Sequence, residues 1–273
     1  MAENVPNSLA GKRIVITRVA AQSDALAKEL SARGAIPTVL PLISFAEPED
    51  SEPLDRAIAG IAAFDWLILT SAQAVRALVE RSVDLQKPLA RTGRPSVACV
   101  GPVTAEAARS ASLPVAYVAT THTGVALANE LGSKIQGARV LLPRSDRANP
   151  DLPEALKCYG ALVTEVVAYR TLRSAGANAE ELKNLVNGHA DAVLFFSPSA
   201  VQHFAEVVGA EQLRLVQDKL AITAVGPVTA KALRDAGVAR PLVAAETNAA
   251  SVIETLETYF AAANVTPAGV RRA

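Results

Sequence analysis

Short apolar runs recur along this chain, separated by stretches in which apolar residues return at helical spacing. The runs 13–17, 36–42, 65–70 and 96–100, and then 139–143, 162–169, 191–196 and 219–225, read as strands buried on both faces. Residues 22–33, 72–81, 102–111, 199–208 and 227–236 read as helices between them. Such alternation predicts parallel sheets with helices on both faces. The runs Ile36–Phe45 and Leu162–Leu172 are too long for ordinary strands and suggest extended crossings between two lobes. The loop-like stretch 47–53 follows the first, and the polar ends 1–8 and 264–273 are expected to fray.

The pattern is written twice. Arg13–Arg18 is answered by Arg139–Arg144, 126 residues later, and Gly34-Ala35-Ile36 by Gly160-Ala161-Leu162 at the same offset. Asp65, Ser71 and Ala74-Val75 map on Asp191, Ser197 and Ala200-Val201. Gly101-Pro102-Val103-Thr104-Ala105 recurs verbatim as Gly226-Pro227-Val228-Thr229-Ala230. Similarities in one order at nearly one spacing indicate an internal duplication. Helix starts are marked by Gly101-Pro102, Gly226-Pro227, Ser197-Pro198 and Asn149-Pro150, and by Ser71 without Pro. They follow strand ends, the edge at which open α/β sheets bind ligands.

Composition narrows the function classes. At 273 residues the length prior is two domains, and half of the residues are hydrophobic, enough for a core in each. Lys+Arg and Asp+Glu are both 27, which argues against a general nucleic-acid binder. Cys99 and Cys158 read as buried free thiols, with neither a disulfide framework nor a zinc site. No apolar run is long enough to span a bilayer, and Met1–Ala10 lacks a signal peptide's pattern. A reducing, cytoplasmic setting is expected, with no membrane partner. A monomer is expected because no apolar element is left over.

Candidate chemistry is sparse. His122, His189 and His203 stand apart from one another and from carboxylate or Cys ligands, and His189 and His203 read as surface residues. There is no GxSxG, GxGxxG or GxxxxGK[ST]. What remains is a set of hydroxyls and arginines at strand ends and helix starts. Thr17 and Arg18 end the first strand, and Arg144 and Ser145 occupy the corresponding strand end of the second copy; Thr70 and Ser71 close the third strand, answered by Ser197 and Ser199; Thr104 matches Thr229. Singly, the hydroxyls read as helix caps, the arginines as solvated charges and Tyr169 as a core residue with a tethered hydroxyl. Together, on one edge of both copies, they suggest a polyanionic ligand held by backbone amides, hydroxyls and a few cations.

These motifs resemble the uroporphyrinogen-III synthase family, cofactor-free cyclases of tetrapyrrole biosynthesis. The likeness spans residues 12–262 in order. It rests on Ile14–Arg18, Leu69–Val75, Val100–Ala105, Leu142–Asp146, Val167–Thr171, Phe195–Val201 and Ala224–Ala230. Phe-Phe-Ser-Pro-Ser and the two Gly-Pro-Val-Thr-Ala strings are the most telling.

The resemblance implies an α/β fold of two similar lobes. Each is a parallel, flavodoxin-like sheet flanked by helices, with a two-stranded extended linker joining them and a cleft between. One lobe would comprise 1–41 with 171–264, the other 46–166, with linker strands 42–45 and 167–170 and a flexible tail 265–273. The implied substrate is hydroxymethylbilane, a linear tetrapyrrole with carboxylates on every ring, closed with loss of water and inversion of ring D. No metal or organic cofactor is implied. Transient contact with the upstream hydroxymethylbilane synthase is a further expectation. By the same resemblance Tyr169 falls on the tyrosine suggested to assist departure of the hydroxyl. Thr17, Arg18, Thr70, Ser71, Gly101, Thr104, Arg144, Ser197, Ser199, Gly226 and Thr229 would hold the substrate. The alternatives are a non-catalytic two-lobed sensor of a polyanion with the same fold, and a two-lobed transferase such as a nucleotide-sugar enzyme.

Overall fold

Alternation of residues within each strand sets the layers of this protein. The structure, a computed structural model, describes residues 8–19, 22–89, 94–174, 179–217 and 219–265. The elements run β1 (Arg13–Ile16), α1 (Asp24–Ala32), β2 (Ile36–Val39), β3 (Ile43–Ala46), α2 (Glu52–Ala59), β4 (Trp66–Leu69), α3 (Ala72–Asp84), β5 (Ser96–Cys99), α4 (Pro102–Ser110), β6 (Val115–Val118) and α5 (Gly124–Leu131). Then follow β7 (Arg139–Ser145), α6 (Asp151–Cys158), β8 (Leu162–Arg173), α7 (Ala179–Asn184), β9 (Ala192–Phe195), α8 (Pro198–Val208), α9 (Ala210–Val216), β10 (Ala221–Val225), α10 (Pro227–Asp235), β11 (Leu242–Ala244) and α11 (Ala249–Val265).

The chain divides into a first unit, Met1–Ser44 with Arg173–Ala273, and a second, Phe45–Leu172. It passes from one to the other within β3 and again at the end of β8. The first unit's sheet has the order β11-β10-β9-β1-β2, and the second's β3-β8-β7-β4-β5-β6. With strands numbered by their place in the repeat, both sheets read 2-1-3-4-5, the flavodoxin-like order, with β3 added outside β8. The paired strands whose register is known run parallel.

The repeats have exchanged their opening pieces. β1 pairs with β9 of the second copy, and β7 pairs with β4 of the first. Two related carboxylates pin these joints. Asp191 accepts the Arg13 backbone N–H at 2.8 Å, and Asp65 accepts that of Arg139 at 2.9 Å.

Each central strand sends alternate side chains to opposite faces. In the first unit Val193, Phe195, Ile222 and Ala224 enter one core layer, and Ala192, Leu194, Ala221 and Val225 the other. In the second unit Leu67, Leu69, Val97 and Cys99 oppose Ile68 and Ala98 in the same way.

Several expectations need correction. Ile36–Phe45 is not one extended run: β2 ends at Val39 and β3 begins at Ile43. Pro41 has no N–H to carry a ladder through, and Leu42 turns fully inward. β2 is an edge strand, not buried on both faces, and Ile36 is 54% exposed. Leu162–Leu172 is continuous, within the twelve-residue β8. The short outer strands β6 and β11 and the helices α2, α5, α7, α9 and α11 are additional. The helix at Asn149-Pro150 starts one residue late, with Pro150 as its N-cap. Cys158, at the end of α6, is exposed, while Cys99 is buried and its thiol is pushed up to about 11 by burial. His203 is buried on α8 rather than on the surface, whereas His189 is exposed. α11 extends to Val265, so residues 264 and 265 are helical; the rest of the expected tail, 266–273, and residues 1–7 lie outside the described residues.

Candidate functional site

In the second unit the ends of β4 and β7 and the later residues of β8 bring hydroxyls together. Ser71 follows β4 in an extended conformation and caps α3, its Oγ accepting the Ala74 N–H at 3.0 Å. That bond leaves its own proton available. Ser71 Oγ lies 3.2 Å from Tyr169 Oη, so either hydroxyl can donate to the other. Tyr169, on β8, is 9% exposed and meets the Phe45 ring edge-on at 5.4 Å between centroids. Burial raises its phenol above the ordinary value. The Ser71 hydrogen bond and the charge of Arg144 oppose that rise, and Asp146 adds to it.

Thr70 is half-buried at the end of β4. Gly101 caps α4 from an extended backbone. Thr104, in the first turn, is 6% exposed, and its hydroxyl has no described hydrogen bond. Capping therefore does not explain it. Arg144 is not presented as a cation for a ligand. Its guanidinium is buried, donates to Glu165 at 3.1 Å and to the Asn149 carbonyl, and so braces β7 against β8 and the start of α6.

The first unit carries the related set on β1, β9 and β10. Thr17 gives both its N–H and its hydroxyl to the Leu194 carbonyl, at 3.2 and 2.7 Å. It is a buried tie between β1 and β9, with its proton already committed. Arg18 donates to Gln22 at 2.7 Å and lies over the Phe196 ring at 5.2 Å. Ser197 caps α8 by accepting the Ala200 N–H at 3.3 Å, and Ser199 is half-buried in the first turn. Thr229 is 3% exposed, again with no described hydrogen bond from its hydroxyl.

The verbatim Gly-Pro-Val-Thr-Ala repeats are not structurally alike. Gly101 has φ −159°, open to any residue, but Gly226 has φ +98° and ψ 161°. Only glycine adopts the latter readily.

Asp146 and Thr171 were not singled out as candidates by the sequence, and Ser145 only as a strand-end hydroxyl, yet all three surround Tyr169. The string Leu142–Asp146 was visible, but the bulged pairing of β7 with β8 that gathers them was not. Among the described residues, no group of His, Cys, Asp or Glu is placed to hold a metal, and no helix is long and apolar enough to cross a membrane.

Comparison with known proteins bears on this geometry. Residues 24–254 match the family described as "Uroporphyrinogen-III synthase HemD". A uroporphyrinogen-III synthase of Synechococcus elongatus is 32% identical over 226 residues, covering 81% of this chain and 85% of that protein. Among solved structures, a mutant uroporphyrinogen III synthase of Thermus thermophilus superposes with a TM-score of 0.66 at 22% identity, covering 93% and 99% of the two chains. The Helicobacter pylori uroporphyrinogen-III synthetase gives 0.60 at 18% identity, covering 91% and 99%. The structures speak to the fold, and the family match together with the cyanobacterial relative speaks to descent: this chain belongs to the uroporphyrinogen-III synthase family.

Proposed function

We propose that this protein converts hydroxymethylbilane to uroporphyrinogen III, as a cofactor-independent hydro-lyase that closes the ring with loss of water and inversion of ring D. The observation that carries the reading is the Ser71–Tyr169 hydroxyl pair at the ligand-binding edge of a flavodoxin-like sheet. A buried phenol with a raised pKa stays protonated at neutral pH and can donate to a leaving hydroxyl. Ser71 holds the phenol by its other lone pair or proton.

Departure of the hydroxyl leaves an electrophilic carbon that ring D attacks. The same tetrapyrrole closes without inversion when unassisted, so orientation is the main task. Positioning of this kind is worth up to roughly 7–11 kcal/mol. Thr104 and Thr229 are nearly buried residues whose hydroxyls have no hydrogen bond among the described residues; they are suited to the carboxylates, as are the helix N-termini after Gly101 and Gly226. Thr70, Ser197, Ser199 and Arg18 supplement them. Thr17 and Arg144 support the strand ends from behind. The protein would act as a cytoplasmic monomer, receiving its unstable substrate from hydroxymethylbilane synthase.

The test is to add enzymatically generated hydroxymethylbilane and separate the isomers after oxidation. The type III isomer is expected. Type I alone would identify a binder of the same fold and remove the synthase reading.

A further inference from the structure

β8 changes register against β7 at one place. Arg144 pairs with Val167 but Ser145 pairs with Tyr169, so Ala168 is the extra residue of a bulge. Burial follows the bulge. Val166 and Ala168 are buried with Val167 turned out, and Tyr169 is then buried directly after Ala168. Val166, Ala168 and Tyr169 all join one apolar cluster. A regular strand would send Tyr169 to the face opposite Ala168. The bulge brings its ring to Phe45 and its hydroxyl to Ser71.

Asp146 closes this bulge. Its backbone N–H donates to the Tyr169 carbonyl at 3.2 Å. Its Oδ1 accepts the Thr171 N–H at 2.9 Å and the Ser145 hydroxyl at 3.0 Å. The Ser145 and Thr171 hydroxyls lie 2.9 Å apart, so Thr171 can donate to Ser145, which donates to the carboxylate. One residue thus holds the β8 backbone at Tyr169 and two residues beyond it. In the first copy the residues matching Ser145 and Asp146 are Val19 and Ala20, and the residue matching Tyr169 is Ile43. The clamp and the tyrosine occur in the same copy.

We infer that Asp146 is a positioning residue: its carboxylate clamps the bulge that aims Tyr169, and it acts on the reaction only through that tyrosine. The catalytic half of this inference rests on the proposed synthase reading. The positioning half does not.

The experiment pairs turnover with a signal from the tyrosine itself. In the full chain, Asp146→Ala is expected to lower kcat for type III formation by about ten-fold with KM little changed, as displacement of an oriented group does. Asp146→Asn keeps an Oδ1 acceptor and is expected to restore most of the rate. In a Tyr169→Phe background, Asp146→Ala is expected to add less than about a two-fold loss, because both changes act on one element. The chain has four tyrosines, so incorporation of 3-fluorotyrosine gives four 19F resonances, with that of Tyr169 identified by Tyr169→Phe. Asp146→Ala is expected to move that resonance and leave those of Tyr117, Tyr159 and Tyr259 in place. Should Asp146→Ala fail to fold, Ser145→Ala removes one arm of the clamp and is read in the same way. A Tyr169 resonance that does not move, or a rate loss of equal size with and without the Tyr169 hydroxyl, overturns the inference. Absence of type III product from the unaltered protein overturns the synthase reading alone, and the 19F result still decides whether Asp146 sets the tyrosine.

Discussion

Ser71 Oγ and Tyr169 Oη lie 3.2 Å apart although 98 residues separate them in sequence. Ser71 also caps α3, so its removal combines a lost cap, about 1 kcal/mol, with loss of the phenol's partner. Tyr169→Phe removes the hydroxyl alone. We expect Tyr169→Phe to slow type III formation several-fold or more while the thermal midpoint stays near that of the unaltered protein. Steady-state rates beside a melting curve check this, and unchanged turnover would take Tyr169 out of the mechanism. Because burial raises the phenol, its ionisation should cause no fall in rate below pH about 10.

Thr104 and Thr229 present a second comparison. Both are nearly buried, and neither hydroxyl has a described hydrogen bond. Valine matches threonine in shape but cannot bond a carboxylate. Thr104→Val and Thr229→Val should therefore each lower activity while changing stability by less than about 1 kcal/mol. Equal losses of both in chemical denaturation and in turnover would assign these threonines to the fold alone.

The two Gly-Pro-Val-Thr-Ala strings make opposite predictions for one substitution. Gly226 has φ +98°, and a Cβ there would meet the Thr247 methyl at 3.2 Å. Gly226→Ala should cost about 1–3 kcal/mol. Gly101 is extended, with 3.7 Å to the nearest atom of His122, so Gly101→Ala should cost less than about 1 kcal/mol. Urea melts of the pair would test this; similar losses would contradict it.

Asp191 connects acid stability to the exchanged strands. Burial raises its pKa, but the Arg13 side chain and N–H outweigh that effect and hold it below the usual carboxylate range. A depressed carboxylate contributes stability that is present above its unfolded pKa, about 3.9, and is lost as pH falls through the folded value. Asp191→Asn should cost about 1 kcal/mol at pH 7, the modest figure fitting a partly exposed pair. The difference should begin to narrow as pH falls below about 4 and should go on shrinking until the folded value has been passed. A gap of the same size at pH 3 as at pH 7 would point to shape rather than charge.

His203 works in the opposite chemical sense but with the same pH direction. Both ring nitrogens are buried without a partner among the described residues, beside the Arg173–Glu206 ion pair. Burial, and then the charge of Arg173, lower its pKa. The unfolded chain takes up a proton below pH about 6.5 that the folded chain resists, so stability falls as pH drops. His203→Leu should flatten that fall and leave the protein about 1 kcal/mol or more stabler at pH 5, measured by melts from pH 5 to 8.

What could be read from the chain and what could not divide along a physical line. Buried strands such as β4, β9 and β10 are continuous apolar runs, and helix starts such as Ser71 and Ser197-Pro198 have local chemistry, so both were legible. Outer strands β6 and β11 are three or four residues long and only partly buried, which leaves little pattern to find. The paired hydroxyls were found through the duplication, but their roles were not. Thr17 gives its proton to Leu194, Arg144 turns to Glu165, and Gly226 needs a backbone that Gly101 does not. Those differences are set by neighbours far along the chain. His203 misled because a lone histidine in a helix gives no sign of which face it occupies.

The exchange of opening strands also sets an order of events during synthesis. Arg13 lies 178 residues before Asp191, the residue that pins it. At usual rates of translation, about 5–20 residues per second, β1 and β2 leave the ribosome roughly 10–35 s before β9 can pair with them. The second unit, contiguous from Phe45 to Leu172, has all its strands by then. This piece of strand, helix and strand is therefore made before β9 and housed only after it. During that interval its apolar Ile14 and Ile16 lack the sheet that buries them in the folded chain, an exposure of the kind that invites association with other chains.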